Sequence, residues 1–359
     1  MNSLVILLLL FDTLASAPAP NPILPTIVGG EDAYITDFPA TVSLRRYSAT
    51  NAYNTCGGTL ISSRFVATAA HCVYDLVTDP NVDKSLFVMY NSSFLSATPT
   101  AQVKEVIILQ TYDDTTLAND VAILELVSTV KDAASAVLST TTPTLGEEVK
   151  TVGWGFTNPE MSVLPLMLQR VHTFVITNDC YSTPGAACTV NANATVCPGD
   201  SGSGWYTSRM DMVMLVGVTS FTISDASKDP PLCEAGSLDG FARVSDFISF
   251  FCYYSENEAF TADGQCSSTS AEAAIRVRLV DSSPSIPPPL PPVYPPSRPP
   301  LSPPSPSSPP SPPPPSFPPR SPPAPLPPPP PLSTAVIVAA SVGGGSVALM
   351  AVIYAVAFL

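Results

Sequence analysis

Proline divides this chain into a part that can pack and a part that cannot. Of its 43 prolines, 29 fall between Pro284 and Pro331, a stretch otherwise mostly serine. Proline has no amide N–H and a fixed φ, so such a run joins neither helix nor sheet and is expected as extended polyproline II. At ~3.1 Å per residue it would reach roughly 150 Å. A packed fold therefore has to come from the residues before this tract. They are rich in Val, Thr, Ile and Gly, in short alternating or apolar runs bounded by turn residues. Val103 to Leu109, Val121 to Leu124 and Met212 to Val216 are examples. Runs of this length and period predict many short strands, hence an all-β barrel or sandwich. Val244 to Tyr254 is the best helix candidate.

The two ends read as targeting segments. Leu4 to Phe11 is a short hydrophobic run followed by Ala15-Ser16-Ala17, which predicts a secretory signal peptide over residues 1–17, cut between Ala15 and Ala19. The run is too short to span about 30 Å of hydrocarbon. A pro-segment over residues 18–26 follows, kept extended by Pro18, Pro20, Pro22 and Pro25. At the other end, residues 335–359 are 25 apolar or small side chains without a charge. As a helix they would reach about 37 Å, enough to cross a bilayer. They read as a transmembrane helix or as a cleaved GPI-attachment signal, and the long proline-rich linker over residues 284–332 favours the former. Either way the expected location is the secretory pathway and then the cell surface, membrane-anchored, with the folded part outside. Ser311 to Ser316, Ser-Pro-Pro-Pro-Pro-Ser, resembles hydroxyproline-rich glycoproteins, which implies association with a cell wall or extracellular matrix. A plain unmodified spacer is the competing reading.

Composition narrows the partners. With 12% charged residues and a net charge of −14, the chain offers no basic stripe to neutralise phosphates, so nucleic acid is excluded as a partner. Eight cysteines, an even number behind a secretion signal, point to disulfides rather than metal ligands. Their connectivity is not fixed by sequence alone. A zinc site is disfavoured, because no Cys-x-x-Cys occurs and His71 and His172 are the only histidines. Asn91-Ser92-Ser93 and Asn193-Ala194-Thr195 are N-glycosylation sequons.

Chemistry concentrates in Gly199-Asp200-Ser201-Gly202-Ser203-Gly204. A serine flanked this way has an open backbone, which the approach of a nucleophile to a carbonyl requires. The amides of Gly199 and Ser201 could together face a developing oxyanion. Upstream stand Thr68-Ala69-Ala70-His71-Cys72 and Asn119-Asp120-Val121-Ala122-Ile123-Leu124. Each residue alone has a bland reading as a turn, a cap or a structural side chain. In the order His71, Asp120, Ser201 they make a nucleophile, a base and an orienting acid. Asp113 and Asp114 are rivals for the acid, discounted because no apolar strand of the right type follows them.

On these motifs the chain resembles the chymotrypsin/trypsin family of secreted serine proteases over about Ile27 to Tyr254. Ile27-Val28-Gly29-Gly30, Cys56-Gly57-Gly58-Thr59-Leu60-Ile61, Gly153-Trp154-Gly155, Thr219-Ser220-Phe221 and Gly240-Phe241-Ala242-Arg243-Val244 carry the resemblance further. It implies a trypsin-like protease domain over residues 27–255, folded as two packed six-stranded antiparallel β-barrels with a short C-terminal helix and the active site between them. A disulfide-bearing extension is expected over residues 256–283. The resemblance implies the pairs Cys56–Cys72, Cys180–Cys188 and Cys197–Cys233, which leaves Cys252 and Cys266 to pair with each other.

The implied activity is that of a serine endopeptidase acting on protein or peptide substrates, which requires no metal and no organic cofactor. His71 would be base and then acid, Asp120 would hold its tautomer with Ser220 in support, and Ser201 would attack. The resemblance also implies that a new amine at Ile27 pairs with Asp200 to order the oxyanion hole. Thr26 stands where the family usually has Arg or Lys, so the zymogen is expected to need an activator that is not trypsin-like. Thr195 at the base of the substrate pocket and Thr222 at its wall, beside Phe221, point to a small apolar P1 side chain. Asp239 near that wall argues for a basic one, and of the two the small apolar side chain is the expectation. A catalytically silent homologue acting as a surface binding module, and a cell-wall glycoprotein with a protease-like head, are the alternatives.

Overall fold

The computed structural model describes residues 27–47, 52–95, 99–180, 183–209, 212–223 and 233–280, all within the first of the chain's two units, Met1–Tyr294. The expected signal peptide, pro-segment, proline linker and apolar C-terminal segment lie outside these residues. Among the described residues no helix is long and apolar enough to cross a membrane.

Alternation and short apolar runs become twelve barrel strands. The first six are β1 (Thr41–Tyr47), β2 (Ala52–Leu60), β3 (Phe65–Thr68), β4 (Leu86–Met89), β5 (Thr100–Leu109) and β6 (Ala122–Leu126). They pair antiparallel in the order β5-β4-β1-β2-β3-β6, and pairing of β6 back onto β5 closes the ring. A short helix, α1 (Tyr74–Thr78), follows β3. The second six are β7 (Glu148–Gly153), β8 (Gln169–Thr177), β9 (Ala186–Val190), β10 (Gly204–Arg209), β11 (Met212–Ile223) and β12 (Leu238–Arg243). They run β10-β7-β8-β9-β12-β11, and β11 closes onto β10. Two closed six-stranded barrels are thus the architecture expected from the family resemblance. Closure removes the free edges that an open sheet would expose.

Burial follows the pleat. Along β8 the side chains of Gln169, Val171, Thr173 and Val175 are buried while Arg170, His172, Phe174 and Ile176 face outward, the period-2 signature of one core face. Trp205 stacks on Phe241 inside the second barrel, with ring centroids 5.2 Å apart, among Val149, Val175 and Val216. In the first barrel all five residues of β6 are buried, because this strand is covered on both faces.

Past β12 a single turn of tight helix (Val244–Phe247) leads into α2 (Ile248–Tyr254), so the helix candidate forms. The chain then returns to the first barrel. Its extension ends in β13 (Ala274–Arg278), antiparallel to the C-terminal half of β5. Three disulfides are closed, Cys56–Cys72, Cys180–Cys188 and Cys252–Cys266. The fourth expected pair is corrected: Cys197 and Cys233 are both buried, and their sulfurs are not bonded. A hydrogen bond with the Cys233 thiol and burial raise the Cys197 thiol pKa.

Candidate active site

His71 sits at the end of β3, anchored by the Cys56–Cys72 bridge that ties its neighbour to β2. Asp120 enters just before β6 and is fully inside, its side chain 0% exposed against 24% for His71. One carboxylate oxygen accepts the His71 backbone N–H at 2.9 Å, and the other lies 2.8 Å from His71 Nδ1. The Ser220 hydroxyl, on β11 of the second barrel, donates to that second oxygen at 2.6 Å. Three donors thus fix the carboxylate, and the carboxylate fixes the ring. Burial lowers the His71 pKa, but the hydrogen bond and charge of Asp120, with Asp114 adding, outweigh it and leave the pKa above the usual imidazole range. Asp113 and Asp114 do not take this place. Asp113 accepts the Thr115 N–H in its own turn, and Asp114 takes the Tyr112 hydroxyl.

Ser201 shares an open cleft of about 370 Å³ with His71. Its carbonyl accepts the Gly57 N–H at 2.7 Å, which pins the serine loop of the second barrel to β2 of the first. The loop needs its glycines. Gly199 has φ +98° and Gly202 φ +79°, a region closed to most side chains. A Cβ on Gly202 would also meet Thr68 Oγ1 at 2.2 Å. Along the loop the N–H groups of Asp200, Gly202 and Ser203 are taken by Cys197, Thr219 and Asp200 carbonyls. Those of Gly199 and Ser201 donate to no protein acceptor. The Ser201 hydroxyl and the imidazole are not hydrogen-bonded to each other, and His71 Nε2 lies 3.7 Å from Cys72 Sγ.

Asp200 is 1% exposed and accepts only backbone N–H groups, from Gly155 at 2.8 Å and Cys197 at 3.0 Å. Burial, against the pull of these two bonds and helped by the charge of Asp239, pushes its pKa up to about 7. In the uncut chain Ile27 is joined to Thr26, so its nitrogen is an amide without charge, and the expected Ile27–Asp200 ion pair belongs to the cut form. Ile27 is nonetheless buried against Val171 and Ala194, with the Val28 carbonyl accepting the Thr195 N–H at 3.0 Å.

Thr195, Thr222 and Asp239 come together as one cluster. Both threonine hydroxyls donate to the same Asp239 oxygen, at 2.7 and 2.9 Å, and the Val196 N–H reaches the other at 3.3 Å. Asp239 is 1% exposed, and burial against these donors raises its pKa to about 6. Phe221 packs across Gly240, where a Cβ would meet its ring at 2.3 Å. Asn91 and Asn193 are both exposed. Asn54 was not singled out by sequence: its amide donates to the Gly199 carbonyl at 3.2 Å and its oxygen accepts the Ser43 hydroxyl at 2.7 Å, which steadies the loop. A lone Asn inside a strand carries no signal of this. Cys56, His71 and Cys72 bring potential metal-ligand atoms within 4.8 Å of one another, but both sulfurs belong to a disulfide and are not thiolate donors.

The sequence has counterparts in known proteins. Serine protease SP24D of Anopheles gambiae is 35% identical over 234 residues, covering 62% of this chain and 79% of its own. Trypsin Tyr p 3.0101 of Tyrophagus putrescentiae is 28% identical over 255 residues, 66% of this chain and 82% of its own. Trypsin beta of Drosophila erecta is 27% identical over 257 residues, 67% and 96%. The model of the trypsin family matches residues 27–249, both barrels and the start of the terminal helix, so this chain belongs to the trypsin family and is a serine endopeptidase.

Proposed function

We propose that this protein is secreted as a zymogen, is held at the cell surface, and cleaves protein or peptide substrates through an acyl-enzyme on Ser201. The observation that carries the mechanism is the buried Asp120 carboxylate, bound at once by the His71 ring, the His71 backbone and Ser220. A carboxylate so held keeps the proton on Nδ1 and leaves Nε2 free to take one from Ser201. His71 then returns it to the leaving amine, water attacks the acyl-enzyme, and Ser201 is regenerated. The free amides of Gly199 and Ser201 would receive the oxyanion.

The zymogen step rests on Asp200. A buried carboxylate with neutral donors alone invites a cation, and cutting before Ile27 creates one beside residues already docked. Asp239 is the second such carboxylate. With Thr195 and Thr222 as its hydroxyl partners it favours a basic P1 side chain over a small apolar one, since an apolar group would leave the charge uncompensated. P1-Arg substrates are expected to exceed P1-Ala and P1-Val in kcat/KM, and the reverse order would overturn this part.

The whole reading is tested with a fluorophosphonate probe on the secreted protein, its N-terminus read by mass spectrometry and Ser201→Ala as control. Labelling is expected for the form beginning at Ile27, and is lost in the variant. An unlabelled Ile27-started form would make this a silent homologue that binds rather than cuts.

A further inference from the structure

The first-barrel wall of the cleft has a chemistry of its own. Arg46 on β1 and Tyr53 on β2 stand opposite each other in register. Asp75, in α1, comes over them and takes both terminal nitrogens of Arg46, each at 2.6 Å. All three line the same open cleft as His71 and Ser201. The Thr195–Thr222–Asp239 cluster belongs to the second barrel and is not part of this cleft wall. A substrate that places its acyl side against that cluster must run its leaving-group residues along the first barrel.

What this wall presents is decided by exposure. The Arg46 side chain is 14% exposed and that of Asp75 46%, while the Arg46 Nε is buried without a partner. The guanidinium is therefore covered and used up beneath the carboxylate. Tyr53 is 47% exposed, and among the described residues no hydrogen bond or ring contact engages its side chain. An incoming side chain thus meets the half-exposed Asp75 carboxylate, whose oxygens also hold Arg46 and the Leu76 N–H, beside an exposed aromatic ring. That combination attracts a cation, by charge and by the ring quadrupole. The net charge of −14 adds a field of the same sign. We propose that Asp75 and Tyr53 form a leaving-group subsite selecting Lys or Arg at P1′ or P2′, a proposal that rests on the endopeptidase reading above.

The test uses the full chain processed to Ile27. Peptides with one fixed acyl side carry Lys, Ala or Glu at P1′ or at P2′, and each rate is normalised to that variant's turnover of a simple ester with no leaving-group residue. Lys is expected to exceed Glu in kcat/KM about fivefold at one of the two positions. The preference should shrink toward unity in 1 M salt. Asp75→Asn is expected to invert it toward Glu, because Arg46 is then unpaired. Tyr53→Ala is expected to lower it about twofold. A Lys-to-Glu ratio within twofold of unity, or one unchanged in Asp75→Asn, overturns the subsite. If Asp75→Asn fails to fold, an unchanged ratio in Tyr53→Ala and in 1 M salt does the same. Failure to turn over even the ester would instead sink the endopeptidase reading, and this subsite with it.

Discussion

At the scale of single residues the site is governed by where protons sit. His71 has a raised pKa because Asp120 outweighs its burial, and it must be neutral to act as a base. The ascending limb of kcat/KM against pH is therefore expected above the ordinary imidazole range. Asp120→Asn should move it to lower pH while reducing kcat by several orders of magnitude. A limb that stays put would show that Asp120 does not set the His71 proton. Asp200 makes the opposite kind of prediction, about stability. Its carboxyl is raised from 3.8 to about 7 in the uncut chain, so ionisation disfavours the folded state. The associated stability is complete below the unfolded pKa and is lost as pH rises from about 4 to 7. The loss is on the order of 4 kcal/mol. Urea unfolding of the uncut Ser201→Ala chain should show this slope, and adding Asp200→Asn should flatten it. An equal slope in both would place the proton uptake elsewhere.

At the scale of elements, legibility tracked burial. β5, β6 and β11 could be read because their apolar residues run together, and burial in the barrel wall is what such a run serves. β13 was not legible as a strand. Within it Ile275, Arg276 and Arg278 are exposed, and its reason to exist is the β5 edge more than 160 residues away in sequence. Its ion pair gives a test. Glu105 is only 7% exposed, and Arg276 is hydrogen-bonded to it from β13. The nearby cations Lys104 and Arg64 are committed to Glu125. Arg276→Met should leave Glu105 buried and unmatched. The cost is expected at about 1–2 kcal/mol, below that of a fully buried pair because Arg276 is half exposed. A urea midpoint unchanged in the variant would mean that β13 contributes no stability to the first barrel.

At the scale of the whole molecule, the site is a seam between two barrels, and that explains which of its residues could be foreseen. Ser201, His71 and Asp120 each sit in a local sequence context dictated by backbone geometry, such as the positive φ of Gly199 and Gly202. Asn54 acquires its place only when the barrels pack, and Tyr53 and Asp75 only when β1, β2 and α1 come together within the first barrel, so nothing adjacent in sequence marks them. The same holds for Tyr206, which lies in the second barrel yet exchanges hydrogen bonds with Thr59 at 3.0 Å and Thr41 at 3.3 Å in the first. All three are buried, so Tyr206→Phe removes one hydroxyl and strands two. A loss of about 1–3 kcal/mol is expected. If the seam couples the barrels, the loss must appear equally in both halves. Trp154 follows β7 and packs in the core that contains the first barrel, so in a Trp154→Phe background tryptophan reports from Trp205 on β10 inside the second barrel, whereas far-UV circular dichroism reports from both. Coincident shifts of the two urea transitions would show one cooperative unit. A shift seen by tryptophan alone would mean that the barrels unfold separately, and that the Asp120–Ser220 contact across the seam is held by local packing rather than by the docking of the two halves.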